Sequence, residues 1–132
     1  MVETASFVTQ EHHRRARSIG GTSKPANISY VKEHLHKDWH TLVGNMNAYQ
    51  ICNLINKLNY KPENIMLVCK FINGSEVKGH GLHNSKNKHK IDVAWKNLFG
   101  DLEFSQIIEY INSTWLDPSY HLYIVSKKTL QL

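Results

Sequence analysis

Apolar positions recur along this chain with two different periods. Ile51, Leu54, Ile55 and Leu58 stand three and four apart, as do Ile107, Ile108 and Ile111. That spacing places each set on one side of an α-helix. IMLVCKF (65–71) and HLYIVSK (121–127) are apolar, partly β-branched runs of strand length. SFVTQEHH (6–13) contains an alternating stretch that predicts a strand, and ISYV (28–31) a second, shorter one. KEHLHKDWHTLVG (32–44) has helical spacing. RRARSIGGTSKPAN (14–27) carries Gly-Gly, Pro and Ser/Thr and reads as an irregular loop. EVKGHGLHNSKNKHK (76–90) is rich in Gly, Asn and Lys and reads as another.

Part of the pattern occurs twice. WHTLVGNMNAYQICNLINKLNYKP (39–62) lies over WKNLFGDLEFSQIIEYINSTWLDP (95–118) at a shift of 56, with eight identities in 24 columns. They are Trp39/Trp95, Leu42/Leu98, Gly44/Gly100, Gln50/Gln106, Ile51/Ile107, Ile55/Ile111, Asn56/Asn112 and Pro62/Pro118. Each copy then enters an apolar run. The unit reads helix, glycine break, helix, proline turn, strand. Gly44 and Gly100 suit the end of the first helix. Asn47 and Glu103 open the second, Asn47 with the better capping chemistry. Two copies are too few for a solenoid, so the expectation is a duplicated unit that pairs with itself around one core.

The length, 132 residues, is about one domain's worth. With 41% hydrophobic and 20% charged residues the chain can bury a modest core. No apolar run approaches the roughly 18 residues of a membrane span. The opening MVETASFVTQ lacks the basic start and apolar stretch of a secretory signal. Cys52 and Cys69 are the only cysteines, form no CxxC, and read as buried thiols in a reducing compartment, the cytoplasm. Two numbers point toward function. The formal charge of +5 favours a polyanionic partner. The 9 histidines favour metal or acid–base chemistry.

Five side chains in the first third gather that chemistry. His36 and His40 are four apart on the predicted helix, so both can reach one metal ion. His12 and His13 are adjacent on a predicted strand and face opposite sides. One can complete the metal site while the other faces a reaction. Asn27 follows His13 by fourteen residues and precedes the second strand.

With these residues in place, HHRRARSIGGTSKPANISYVKEHLHKDWH (12–40) resembles the HNH nucleases of the His-Me finger (ββα-metal) superfamily. The paired His, the R-S-x-G-G loop (Arg17–Gly21), the Asn before a short strand and the closing H-x-x-x-H follow the family pattern. The resemblance covers about 29 residues. It implies that His13 is the general base, that His12, His36 and His40 hold a divalent metal (Mg, Mn, Ni or Zn), and that Asn27 orients the base and holds the loop. It also implies that phosphodiester hydrolysis leaves a 5′-phosphate and a 3′-hydroxyl. Arg14, Arg15 and Arg17 lie beside the base, where they are expected to hold flanking phosphates. From Lys78 to Lys90 the second loop has four Lys, three His and no acid; Lys78, Lys86, Lys88 and Lys90 are expected to touch the nucleic-acid backbone. His80, His83 and His89 have no fixed ligand spacing and remain unassigned.

The chain departs from the family pattern in three places. Lys32 and Leu35 stand where many members have the cysteines of a structural zinc. Arg14 follows the His pair in place of an apolar residue. In the second repeat Asp92 and Lys96 stand opposite His36 and His40, so that copy reads as a scaffold. The expectation is an α+β protein: a His-Me finger (1–45) followed by a helix and strand scaffold containing the second repeat (46–132), in one compact domain. The activity expected is metal-dependent endonuclease action on DNA, more than RNA, with low sequence specificity, by a monomer or homodimer. A catalytically inactive module that binds nucleic acid or protein is the alternative.

Overall fold

The computed structural model describes residues 8–75 and 87–127. Among them are four α-helices and two antiparallel two-stranded sheets, an α+β arrangement. β1 (Thr9–His13) pairs with β2 (Ile28–Lys32), and α1 (Glu33–Val43) follows β2 directly. α2 (Ala48–Lys57) leads to β3 (Ile65–Phe71). α3 (Lys88–Phe99), α4 (Phe104–Tyr110), a π turn (Ile111–Trp115) and β4 (Tyr120–Ser126) complete the chain. None of the helices is long and apolar enough to cross a membrane.

The repeat is physical. α1 and α3 are its first helices, α2 and α4 its second, and β3 and β4 its strands, which pair antiparallel. Most of the coincident residues occupy matching positions. Gly44 and Gly100 end the first helices at φ 57° and 42°, backbone that strains any residue with a Cβ. Each donates its N–H back to the helix, to His40 O and Lys96 O, both at 2.8 Å. Gln50 and Gln106 reach back to the N–H of Asn47 and Glu103, both at 3.0 Å, in paired capping boxes.

Asn56 and Asn112 account for another identity. Asn56 donates to Leu67 O (2.9 Å) and accepts from Leu67 N (2.9 Å). Asn112 makes the same pair of bonds to Leu122 (3.0 and 2.8 Å). Each side-chain amide thus stands in for a neighbouring strand and satisfies one outer edge of the ribbon, which would otherwise offer open backbone groups.

The copies also interlock through aromatic rings. Trp39 of the first stacks on Trp115 of the second, with centroids 5.1 Å apart. Trp95 of the second stacks on Tyr60 of the first at 4.6 Å. Reciprocal stacking of this kind joins both halves into one core. Trp39, Leu42 and Val43 share a buried cluster with Ile55, Phe99, Ile111 and Leu122. The core therefore crosses the boundary expected near residue 45.

Two features differ from expectation. The last residues of the segment 76–90, expected as a loop, are helical: α3 begins at Lys88, and the Asn87 side chain caps it by accepting from Lys90 N (3.2 Å). Lys88, His89 and Lys90 are helical and exposed. α4 widens into a π turn before Trp115, which no spacing signal announced. The thiols of Cys52 and Cys69 are buried as expected, and burial raises them to about 12 and about 11.

Asn56→Ala should cost about 2 kcal/mol, because it leaves the Leu67 N–H without a partner and the Leu67 C=O with only the weak S–H donor of Cys52. Urea denaturation of the variant against wild type reads this directly, and an unchanged midpoint would remove the edge-capping role.

Candidate metal centre

The first strand pair places the histidines. His12 lies opposite Ser29, and His13 opposite Ile28, in the β1–β2 ladder. Side chains alternate along a strand. His12 therefore turns onto α1 and is 3% exposed, while His13 turns to the other face and is half-buried. One helical turn sets His36 and His40 side by side on α1, with ring centroids 4.7 Å apart. The His12 ring lies 5.3 Å from His36 and 6.2 Å from His40. One ring nitrogen from each of the three falls within 4.8 Å of the other two.

Hydrogen bonds decide which nitrogens face the centre. His12 Nε2 lies 2.9 Å from Trp115 O. A carbonyl only accepts, so Nε2 carries the proton and Nδ1 holds a bare lone pair. That Nδ1 is buried and has no hydrogen-bond partner. His36 Nδ1 lies 2.8 Å from Gln10 Oε1, which leaves His36 Nε2 bare. His36 Nε2 and His40 Nε2 are 3.1 Å apart. Ligand nitrogens each about 2.0–2.1 Å from one ion sit roughly 3 Å from each other. A single proton, on His40 Nε2, separates this arrangement from bare nitrogens converging on one point. The acceptors behind His12 and His36 are the kind that orient metal-bound histidines. The residues therefore fit a divalent ion.

The surroundings disfavour the protonated forms of His12 and His36. Burial lowers the pKa of His12 to about 4, opposed by its bond to Trp115 and helped by His36, His40 and Arg14. His36 is also lowered, by burial first and then by His40 and His13. Neutral imidazole is the form a metal needs. Beside the cluster lies an open groove of about 790 Å³, lined by Gln10, Glu33, His34, His36, Lys37 and His40.

The remaining predicted residues divide by what they touch. His13 Nε2 is 3.3 Å from Ser23 Oγ, and His13 is near enough to His36 to lower its pKa. Asn27 is buried and clamps the 14–27 loop. Its Oδ1 accepts from Arg15 N (2.6 Å), and its Nδ2 donates to Arg15 O (3.1 Å) and Thr22 O (2.7 Å). These bonds hold the loop, and the side chain beside the His13 ring is that of Ser23. Gly21 is required in that loop, since a Cβ there would come 1.7 Å from Arg15 O.

Arg14 and Arg15, expected to hold flanking phosphates, make contacts within the fold. Arg14 donates to Leu116 O (2.7 Å) and Asn112 O (2.6 Å), and Arg15 pairs with Asp117 at 2.6 Å. An arginine after the His pair, where an apolar residue was expected, thus packs β1 through helix-end carbonyls. Arg17 is exposed. Lys88 and Lys90 are exposed on α3, away from the loop in which they were expected, and Lys78, Lys86, His80 and His83 lie outside the described residues.

Gln10, Ser23 and the Trp115 carbonyl were not singled out from sequence. Gln10 was legible: two residues before His12, it shares that face of β1. Ser23 and Trp115 depend on loop path and tertiary docking. No protein-family model, curated protein or solved structure matches this chain.

Without metal, the protein should lose stability as pH falls from about 6.5 to about 4. The unfolded chain takes up the His12 proton first, while the folded protein resists it until about 4. The loss reaches roughly 3 kcal/mol at the lower end and is absent above the unfolded pKa. Chemical denaturation at a series of pH values measures it. A His12→Asn variant, which cannot titrate, should lack this share of the slope; an unchanged slope would contradict the assignment.

Proposed function

We propose that this protein is a metal-dependent endonuclease that hydrolyses phosphodiester bonds of DNA with low sequence specificity. On this reading β1, the 14–27 loop, β2 and α1 form a His-Me finger of the HNH type. The observation that carries it is the convergence of His12, His36 and His40, two of them held from behind by carbonyl oxygens, with His13 beside them and outside the ligand set.

His12, His36 and His40 would hold the ion. The all-imidazole set suits Ni or Zn better than Mg, which prefers oxygen donors. When bound, the ion supplies Lewis-acid stabilisation of charge on the scissile phosphate and the leaving oxygen. His13 acts as general base and takes a proton from the attacking water. Ser23 fixes the His13 ring, and Asn27 fixes the loop that carries Ser23. Arg17, exposed at the turn of that loop, meets the phosphate backbone. Contacts to the backbone rather than to base edges make binding insensitive to sequence and sensitive to salt.

Nicking of supercoiled plasmid with added Ni²⁺, Zn²⁺, Mn²⁺ or Mg²⁺ tests this reading. Wild type should nick, and His13→Ala should fall by about 10²–10⁴-fold while keeping the rise in melting temperature on adding metal. Equal nicking by both proteins would eliminate His13 as the base. Metal stabilisation without cleavage by wild type would point to an inactive binding module.

A further inference from the structure

The duplication gives the metal-bearing face of α1 a counterpart on α3. A shift of 56 carries Glu33, His36 and His40 onto His89, Asp92 and Lys96. The first three line the groove at the histidine cluster, and the second three line a larger groove, of about 1010 Å³. In the first copy, the space between α1 and the Trp115 turn is closed by the β1–β2 pair. His12 bonds to Trp115 O, Ser29 to Thr114 O, and Arg14 to Asn112 O and Leu116 O. In the second copy the matching space lies between α3 and Tyr60, and among the described residues no strand pair fills it.

We infer that this second groove binds the sugar–phosphate backbone of DNA. Lys88, His89 and Lys96 line it, against the carboxylate of Asp92. Lys88, His89 and Lys90 also occupy the first turn of α3, which holds no acid. The helix dipole disfavours cations at that end, and a bound polyanion reverses the penalty. Val93 and Leu102, 45% and 42% exposed, form an apolar wall beside these charges. A nucleic-acid strand offers both complements at every nucleotide, an anionic phosphate and an apolar sugar face. The groove thus extends the contact beyond the cleavage site, on a surface where the second copy has replaced the histidines with Asp92 and Lys96. This inference rests on the nuclease reading for its choice of polyanion.

The test is fluorescence anisotropy with a labelled duplex of mixed sequence, in EDTA so that nothing is cut, over a range of salt. The full-length wild type is compared with Lys88→Gln/Lys96→Gln. Both lysines are exposed, so the melting temperature and metal-induced stabilisation should not change. Losing two phosphate contacts should lower the slope of log affinity against log salt by about 1.8 and weaken binding at low salt by tenfold or more. Lys70→Glu, on β3, removes the same net charge and should leave the slope close to wild type. Equal binding by wild type and the double variant would overturn the groove and leave the nuclease reading standing. Equal weakening by Lys70→Glu would overturn it in favour of diffuse charge. A wild type that neither binds nor nicks DNA would end both.

Discussion

The hydrogen bond from His12 to the Trp115 carbonyl joins β1 to the π turn about a hundred residues away and fixes how the His12 ring is oriented. The helix ends after its π turn, and the carbonyls of Asn112, Thr114, Trp115 and Leu116 are met from outside it. The β1–β2 pair meets them with Arg14, Ser29 and His12. The same bond that docks the strand puts the His12 proton on Nε2 and turns a bare Nδ1 inward. Without a partner that buried nitrogen costs about 1–3 kcal/mol. Here it lies in the cluster formed with the imidazoles of His36 and His40. Docking of the strand pair and orientation of the His12 ring are thus one interaction.

The duplicated unit makes that docking possible. Trp39 stacks on Trp115, so the helix bearing His36 and His40 and the turn that receives His12 are pressed together by the same ring pair. The reciprocal stack of Trp95 on Tyr60 completes the core without building a second cluster. Asp92 and Lys96 stand there at the positions that match His36 and His40. One copy carries the histidines, and the other braces them.

Much of this was legible in the sequence because it rests on local rules. The i, i+4 spacing of His36 and His40, the alternation of His12 and His13, and the glycines that end α1 and α3 all behave as spacing predicts. The repeat was visible as coincident residues, but the reason for Asn56 and Asn112 was not. Their amides bond to strand backbone ten and eleven residues away, and no local rule reports that distance. The start of α3 was missed because Lys, His and Asn dominate its first turn, and the Asn87 cap was hidden in that composition. Arg14 and Arg15 were read by charge alone. Their partners lie about a hundred residues further along, where only tertiary packing brings them.

The most direct measurement is a crystal structure of the protein soaked with Ni²⁺ or Zn²⁺, with anomalous scattering recorded at the metal edge. The account predicts one ion per chain bound by His12 Nδ1, His36 Nε2 and His40, with His12 Nε2 still bonded to the Trp115 carbonyl and His13 uncoordinated. An ion bound elsewhere, or a cluster that stays empty under saturating metal, would contradict it.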